Sequence, residues 1–285
     1  MSKIEALINS RMHSFTKSEK KIAEYILNSK KSDITRMTIS ELASNSGVSE
    51  ATIVRYVKKI GFESFQDFKL NLVLDNGEED DILEEEKDVT ISKDDTPQEI
   101  LRKTKLGFLQ SIENTDAIID MNNFLQAVNF IRSAKKIEIY GVGSSSAVGK
   151  ILQYKLTRLG FPAYSIEDPH MQAISAATLG LGDLAFGISQ SGSTKDTVDS
   201  LAIAKKHGAT TICLTQHVNS PITKYADVVL EIYSGENPVK TSAGRSILVQ
   251  VFAVELLSGL LYSTEYEKAI KVGKETASAV VNKLY

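Results

Sequence analysis

Two short segments in the second half of the 285-residue chain carry residue types that can hold an anion without a metal. The first is Gly141-Val-Gly-Ser-Ser-Ser-Ala147 and the second is Ser189-Gln-Ser-Gly-Ser-Thr194. Glycine lets the backbone turn sharply and approach a ligand closely, so Gly141 and Gly143 suit a loop that wraps an anion. A helix that follows such a loop offers free amides and the positive end of its dipole. The serines add hydroxyl donors. Each segment comes directly after an apolar run that reads as a strand, so both open on the carboxyl edge of one sheet, where ligands of such folds bind. Either loop alone is an ordinary βα turn. The two together favour one small molecule that carries a phosphate.

A dinucleotide cofactor is the nearest rival. The first loop begins Gly-x-Gly, but Ser146 replaces the third glycine of that fingerprint. Glu167 could imitate its ribose-binding acid. The serine-rich second loop has no place in that scheme.

A third constellation lies near the N-terminus, Thr38-Ile-Ser-Glu-Leu-Ala-Ser-Asn-Ser-Gly-Val-Ser-Glu-Ala-Thr-Ile-Val-Arg-Tyr-Val-Lys-Lys-Ile-Gly61. A helix-turn-helix needs a small residue where its helices cross, and Ala43 supplies it. It needs a turn residue that tolerates positive φ, and Gly47 follows four positions later. Val48 plugs the turn, and Ser49 is an N-cap residue type for the second helix. Ile53, Val57 and Ile60 face inward with Tyr56 at their border. Ser49, Thr52, Arg55 and Lys59 are left outside. The N-terminal part of this helix enters the major groove in such motifs. Thr52 and Arg55 are therefore the expected base readers, with Ser49, Lys58 and Lys59 on phosphates. A helical hairpin with no DNA role fits the same short pattern. The segment's place in a basic head ahead of a connector favours DNA.

The elements that would position these groups follow from periodicity. Residues 1–75 read as helices throughout. Ile22, Ala23, Ile26 and Leu27 mark one, with Thr16 or Ser18 as its N-cap, and Phe65, Phe68, Leu72 and Val73 mark another. Two helices are expected near 98–119 and 122–133. Beyond them five apolar runs read as strands: 137–140, 163–166, 184–188, 211–214 and 228–232. Helical stretches lie between, which predicts a five-stranded parallel sheet with helices on both faces.

Charge separates the chain into three stretches. Residues 1–75 hold 12 Lys/Arg against 9 Asp/Glu, residues 76–99 hold 2 against 11, and residues 100–285 hold 19 against 16. The expected domains are a helix-turn-helix head (1–75), an acidic linker (76–99) and an α/β body with leading helices (100–285). So dense a run of like charge resists burial. An acidic tail that competes with DNA for the head is the functional alternative. The single cysteine, Cys213, excludes internal disulfides and cysteine zinc fingers. A reducing cytoplasm is the simplest location. The N-terminus has no apolar core of a signal peptide. The longest apolar stretch, 247–262, is broken by Gln250, Glu255 and Ser258 and reads as too short for a membrane span.

The two serine loops resemble the sugar isomerase (SIS) domain, which binds phosphosugars. The head, with Ser-Glu-Lys-Lys-Ile-Ala-Glu-Tyr-Ile-Leu and Arg-Tyr-Val-Lys-Lys-Ile-Gly-Phe, resembles that of RpiR/MurR-type regulators, and the domain order agrees. The resemblance implies that Ser144, Ser145, Ser189, Ser191 and Thr194 hold the phosphate and that Gln190 lines the site. It also implies a sugar-phosphate effector that alters binding to a double-stranded DNA operator, and control of carbohydrate metabolism genes. His170 lies where the sugar could sit, although a lone histidine is more often structural. Operator reading by this motif implies a homodimer or homotetramer, with the helix 245–261 and the C-terminal helix as candidate pairing surfaces.

Catalysis is the alternative, as a sugar phosphate isomerase with an accessory helical domain. It needs an acid/base group within reach of the sugar carbons. Glu236, His170, Arg245 and Glu255 are possible contributors, but no spacing ties them to a reaction. His13, His207 and His217 form no metal-ligand pattern. The expectation is a regulator that is not an enzyme and has neither metal nor cofactor.

Overall fold

The computed structural model describes residues 3–74, 89–236, 244–281 and 283. Its contacts form two compact units that divide between Thr104 and Lys105. The acidic segment expected as a linker, 76–99, lies outside the described residues from 76 to 88. Its remainder is not uniformly solvated like charge. Asp95 pairs with Lys103 at 2.7 Å, and that bond holds its carboxyl below the usual range.

The first unit is helical: α1 (Lys3–Arg11), α2 (Lys17–Asn28), α3 (Lys31–Arg36), α4 (Ile39–Ser46), α5 (Glu50–Lys59) and α6 (Phe65–Leu74). Two capping boxes set its starts. Thr16 accepts from the Glu19 amide while Glu19 bonds back to Thr16, and Thr38 and Glu41 do the same for α4. Ile22, Leu42, Ile53, Val57, Phe68 and Leu72 close one apolar core.

The helix α7 (Pro97–Asp116) begins with a third such exchange, between Thr96 and Glu99. There follow α8 (Met121–Ser133), β1 (Ile137–Tyr140), α9 (Ser144–Arg158), β2 (Ala163–Ile166), α10 (Pro169–Ala176), β3 (Leu184–Ile188), α11 (Lys195–Lys206), β4 (Thr210–Thr215), a 3₁₀ turn (Pro221–Tyr225), β5 (Val228–Glu231), α12 (Gly244–Thr264) and α13 (Tyr266–Val281). All strand pairs are parallel, in the order β2-β1-β3-β4-β5. β1 and β3 are buried at every residue, as a sheet covered on both faces requires.

Side chains alternate between the faces. Ile137, Ile139, Phe186 and Ile188 pack with α8, α9, α12 and α13. Ala185, Cys213 and Tyr140 pack with α10, α11 and the 3₁₀ turn. Burial pushes the Cys213 thiol up to about 12. Gly149 lets α9 approach the sheet, since a Cβ there would lie 2.9 Å from Ser165 Oγ and 3.1 Å from Ile139 Cγ2.

The apolar stretch read as ending at 262 and too short to span a membrane belongs to the 21-residue α12. By length and composition this helix would suffice to cross one, with a mean hydropathy of 1.6. Here Val249, Ala253, Val254, Leu257 and Leu261 are buried in the core.

Candidate phosphosugar and DNA-binding sites

The sheet order runs one way from β1 to β2 and the other way from β1 to β3. The connections leaving the paired strands β1 and β3 diverge to opposite sides, and the crevice above the carboxyl ends at such a switch point is where these sheets bind ligands. Both serine loops leave from these two strands.

In the first loop Gly143 has φ +62° and stands as the N-cap of α9, without a side-chain cap. A Cβ on Gly141 would meet the Ser145 backbone at 3.1 Å, so the loop closes tightly over the helix start. Ser146 turns its hydroxyl back to the Gly143 carbonyl at 2.8 Å. Ser144 is exposed and Ser145 buried, and no bond involves their hydroxyls among the described residues. Gln172, fully buried on α10, donates through Nε2 to the carbonyls of Gly141 and Ile166, both at 2.8 Å. It straps the loop to the end of β2. Sequence spacing gave no sign of this residue.

In the second loop the Ser189 hydroxyl donates to Thr194 Oγ1 at 3.2 Å. Thr194 is the N-cap of α11 by position, but its oxygen does not cap the helix. Ser191 Oγ accepts from the Ser193 amide at 3.2 Å. Gly192, at φ +62°, donates to Ser189 O, and its own carbonyl takes the Ile222 amide at 3.0 Å. Gln190 turns its amide toward Gln216, Ser234 and Gln250. Lys195 is exposed and paired with Asp199, which raises its pKa.

His170 is exposed in the first turn of α10, past the carboxyl end of β2. Asp168 caps that helix at 2.8 Å. Glu167, considered as a ribose acid, forms an ion pair with Lys150 at 3.1 Å. Two of the four groups considered for acid/base work are otherwise engaged: Glu236 accepts from the Arg245 and Ser246 amides and closes the start of α12, and Glu255 pairs with Lys155 at 2.6 Å. No cluster of three or more His, Cys, Asp or Glu suited to a metal occurs among the described residues.

In the head, Gly47 takes the left-handed conformation at φ +64° and ends α4. The Val48 amide returns to the Ala43 carbonyl at 2.9 Å, and Val48 packs on the core. Ser49 occupies the N-cap position of α5, but its hydroxyl bonds Thr52 Oγ1 at 2.9 Å and leaves the first-turn amides without a side-chain cap. Arg55 and Lys58 are exposed and have no partner among the described residues.

Two expectations change here. Tyr56 is not a border residue: it is fully buried, edge-on to Phe15 at 5.3 Å, and its hydroxyl has no partner among the described residues. Lys59 is not a free basic group. Its ammonium donates to Ser14 O at 3.0 Å and to Glu19 at 2.7 Å, while Arg11 bonds its carbonyl. Burial pushes the Glu19 carboxyl up, but Lys59 and the Thr16 bonds outweigh it and hold it below the usual range. Neither contact was legible, because both close over 40 or more residues.

The SIS domain profile matches residues 130–258, and that of the rpiR-family helix-turn-helix domain matches residues 2–77. An HTH-type transcriptional regulator of Caldanaerobacter subterraneus is 32% identical over 98% of both chains. One of Haemophilus influenzae is 32% identical over 96% of this chain and 95% of its own. Among solved structures, the Vibrio vulnificus NanR protein complexed with ManNAc-6P superposes with a TM-score of 0.86 at 29% identity, covering 99% of each chain. The Caldanaerobacter subterraneus and Haemophilus influenzae relatives both carry the name of HTH-type transcriptional regulators. This chain therefore belongs to the RpiR family of helix-turn-helix transcriptional regulators with a SIS domain.

Proposed function

We propose that a sugar phosphate bound between the two serine loops modulates the hold of the helix-turn-helix on an operator that serves carbohydrate metabolism genes. One observation carries this reading. α9 and α11 start at the β1/β3 switch point, and neither has a side-chain cap. Uncapped amides beside the unpaired hydroxyls of Ser144 and Ser145 make an anion cradle. Ser144, Ser145, Ser189, Ser191 and Thr194 with the Gly143 turn hold the phosphate. Gln190 shapes the second loop and His170 lies toward the sugar. The solved NanR holds a phosphorylated amino sugar, which makes ManNAc-6P the first compound to try.

On DNA, Thr52 and Arg55 read base edges, and Ser49 and Lys58 take phosphates through the open start and basic end of α5. Lys59 acts on DNA indirectly, by fastening α5 to the head. The working protein is a cytoplasmic homodimer or homotetramer, divided into head (1–75), acidic linker (76–99) and body (100–285). Such motifs read half-sites roughly 34 Å apart or a multiple of it. α12 leaves more than half of its residues partly or fully exposed, and α13 exposes Val280 and Val281, so both remain candidate pairing surfaces.

Thermal shift against a panel of sugar phosphates tests the reading, since a ligand of the folded state raises stability by mass action. A binder should raise the melting point of the wild type, and Ser189→Ala combined with Ser191→Ala should abolish that shift while leaving operator affinity intact. A normal shift in the double variant would place the ligand elsewhere.

A further inference from the structure

Behind the second loop, three glutamine amides and one serine join in a chain whose direction is fixed by the backbone. The Ser234 amide donates to Gln216 Oε1 at 3.1 Å. A main-chain N–H can only donate, so the Gln216 atom facing it is the oxygen. The Glu236 amide donates to Ser234 Oγ at 3.2 Å, which sends the Ser234 hydroxyl proton to Gln216 Oε1 at 2.8 Å. Gln190 therefore presents Nε2 to Gln216, at 2.6 Å, and to Ser234 Oγ, at 3.1 Å. Its Oε1 faces the other way and accepts from Gln250 Nε2 at 3.0 Å. Gln250, on α12, is 1% exposed, and its Oε1, the open end of the chain, has no partner among the described residues. No amide can turn over without setting two donors or two acceptors against each other.

Ser234 also reaches α7. Ser111 Oγ donates to Ser234 O at 2.6 Å, and Thr115 Oγ1 donates to Tyr233 O at 2.9 Å and accepts from the Tyr233 amide at 3.1 Å. α7 begins at Pro97, within the acidic segment 76–99.

We propose that Gln216, Ser234 and Gln250 are positioning residues of the second serine loop, joined through Gln190 into a one-way amide chain that holds Ser189–Thr194 ready for phosphate and fastens it to α7. The inference rests on the sugar-phosphate reading of that loop. Its mark is asymmetry. Every contact of the Gln216 side chain in this chain ends on its oxygen, so a carboxylate can replace that amide. The contact of Gln250 uses its nitrogen, so only a donor serves there.

The test is calorimetric titration of the full chain with ManNAc-6P and with inorganic phosphate. Gln216→Glu should bind within about threefold of wild type, and Gln216→Leu about tenfold more weakly, as expected when a buried partner is lost. Gln250→Met removes the unpaired oxygen and the donor together. It should melt no lower than wild type yet bind about tenfold more weakly, because Gln190 Oε1 loses the donor it has among the described residues. A packing role alone would move melting and binding together. If Gln250→Met and Gln216→Leu bind as wild type, or Gln216→Glu is as weak as Gln216→Leu, the positioning role is overturned while the sugar-phosphate reading stands. If the wild type binds neither these probes nor any sugar phosphate of the thermal-shift panel, that reading fails, and this inference with it.

Discussion

Gly192→Ala should damage the second serine loop more than any other single added methyl. The residue has φ +62°, a conformation that costs an L-residue about 1–2 kcal/mol. The new Cβ would lie 1.9 Å from Ser220 Oγ, 2.4 Å from Ser220 Cβ and 2.9 Å from Thr215 Oγ1. Ser220 cannot easily yield: it is fully buried, its hydroxyl bonds His217 O at 2.6 Å, and it starts the 3₁₀ turn. Overpacking of this kind costs about 1–3 kcal/mol, which brings the total to about 2–5 kcal/mol. Gly143→Ala is the control. It shares φ +62° but meets nothing within 4 Å, so only the backbone cost applies. Adding Ser220→Gly to Gly192→Ala removes the nearest two atoms and should recover the steric part. The assay is urea denaturation of the full chain, with the body's transition followed for the singles and the double. The cycle should give a favourable coupling of about 1–3 kcal/mol. A coupling near zero, or a Gly192→Ala variant as stable as Gly143→Ala, would refute the claim that Ser220 sets the loop's shape.

Two further outcomes concern the head. Arg55→Ala should weaken specific operator binding by about 1–3 kcal/mol, whereas Lys58→Ala should lower affinity evenly across sequences and reduce the salt slope by about one; gel-shift titrations at several salt concentrations separate the two. Burial lowers the Lys69 ammonium to about 8 against an ordinary 10.5, although its Nζ donates to Met37 O at 2.8 Å. Between these values the unfolded head binds a proton that the folded head does not, so stability rises with pH across the window, by at most about 3 kcal/mol. Hydrogen exchange of α3 and α6 should show the advantage of Lys69→Met over wild type shrinking from pH 8 to 10.5, and a constant gap would count against the burial account.

Local pattern carried much of this architecture. The five strands could be placed within a residue or so because each is a short apolar run between helices, as strands of a covered parallel sheet are, even at the edge strands β2 and β5, which are only partly buried. Ala43, Gly47 and Val48 announce their turn because each meets a separate steric demand. Where pattern failed, burial ran against residue type. α10 buries Gln172 and Ala176 and exposes Met171 and Ile174, so its sequence shows no inward apolar stripe. α3 has Ile34 in the core and little else. Lys59 reads as a DNA-facing cation until Glu19 and Ser14 close on it. The chain from Gln190 to Gln250 joins residues 60 positions apart, and only the sheet topology brings them together.

The helix starts divide along the same line. α2, α4, α8 and α10 are closed by Thr16, Thr38, Asp120 and Asp168. α3, α5, α9 and α11 have no side-chain cap, and the last three of these are the helices assigned to DNA or to phosphate. At α9 the N-cap is Gly143, which has no side chain to offer, but residue type does not explain α5 and α11, since Ser49 and Thr194 could each cap and instead bond Thr52 and Ser189. A side-chain cap contributes about 1 kcal/mol. The three open starts at these sites therefore forgo about 3 kcal/mol of stability that an arriving anion can restore. Folding and binding thus draw on the same backbone amides. That is why the sites stay open in the free protein, and why an external phosphate at each should order the helix it meets.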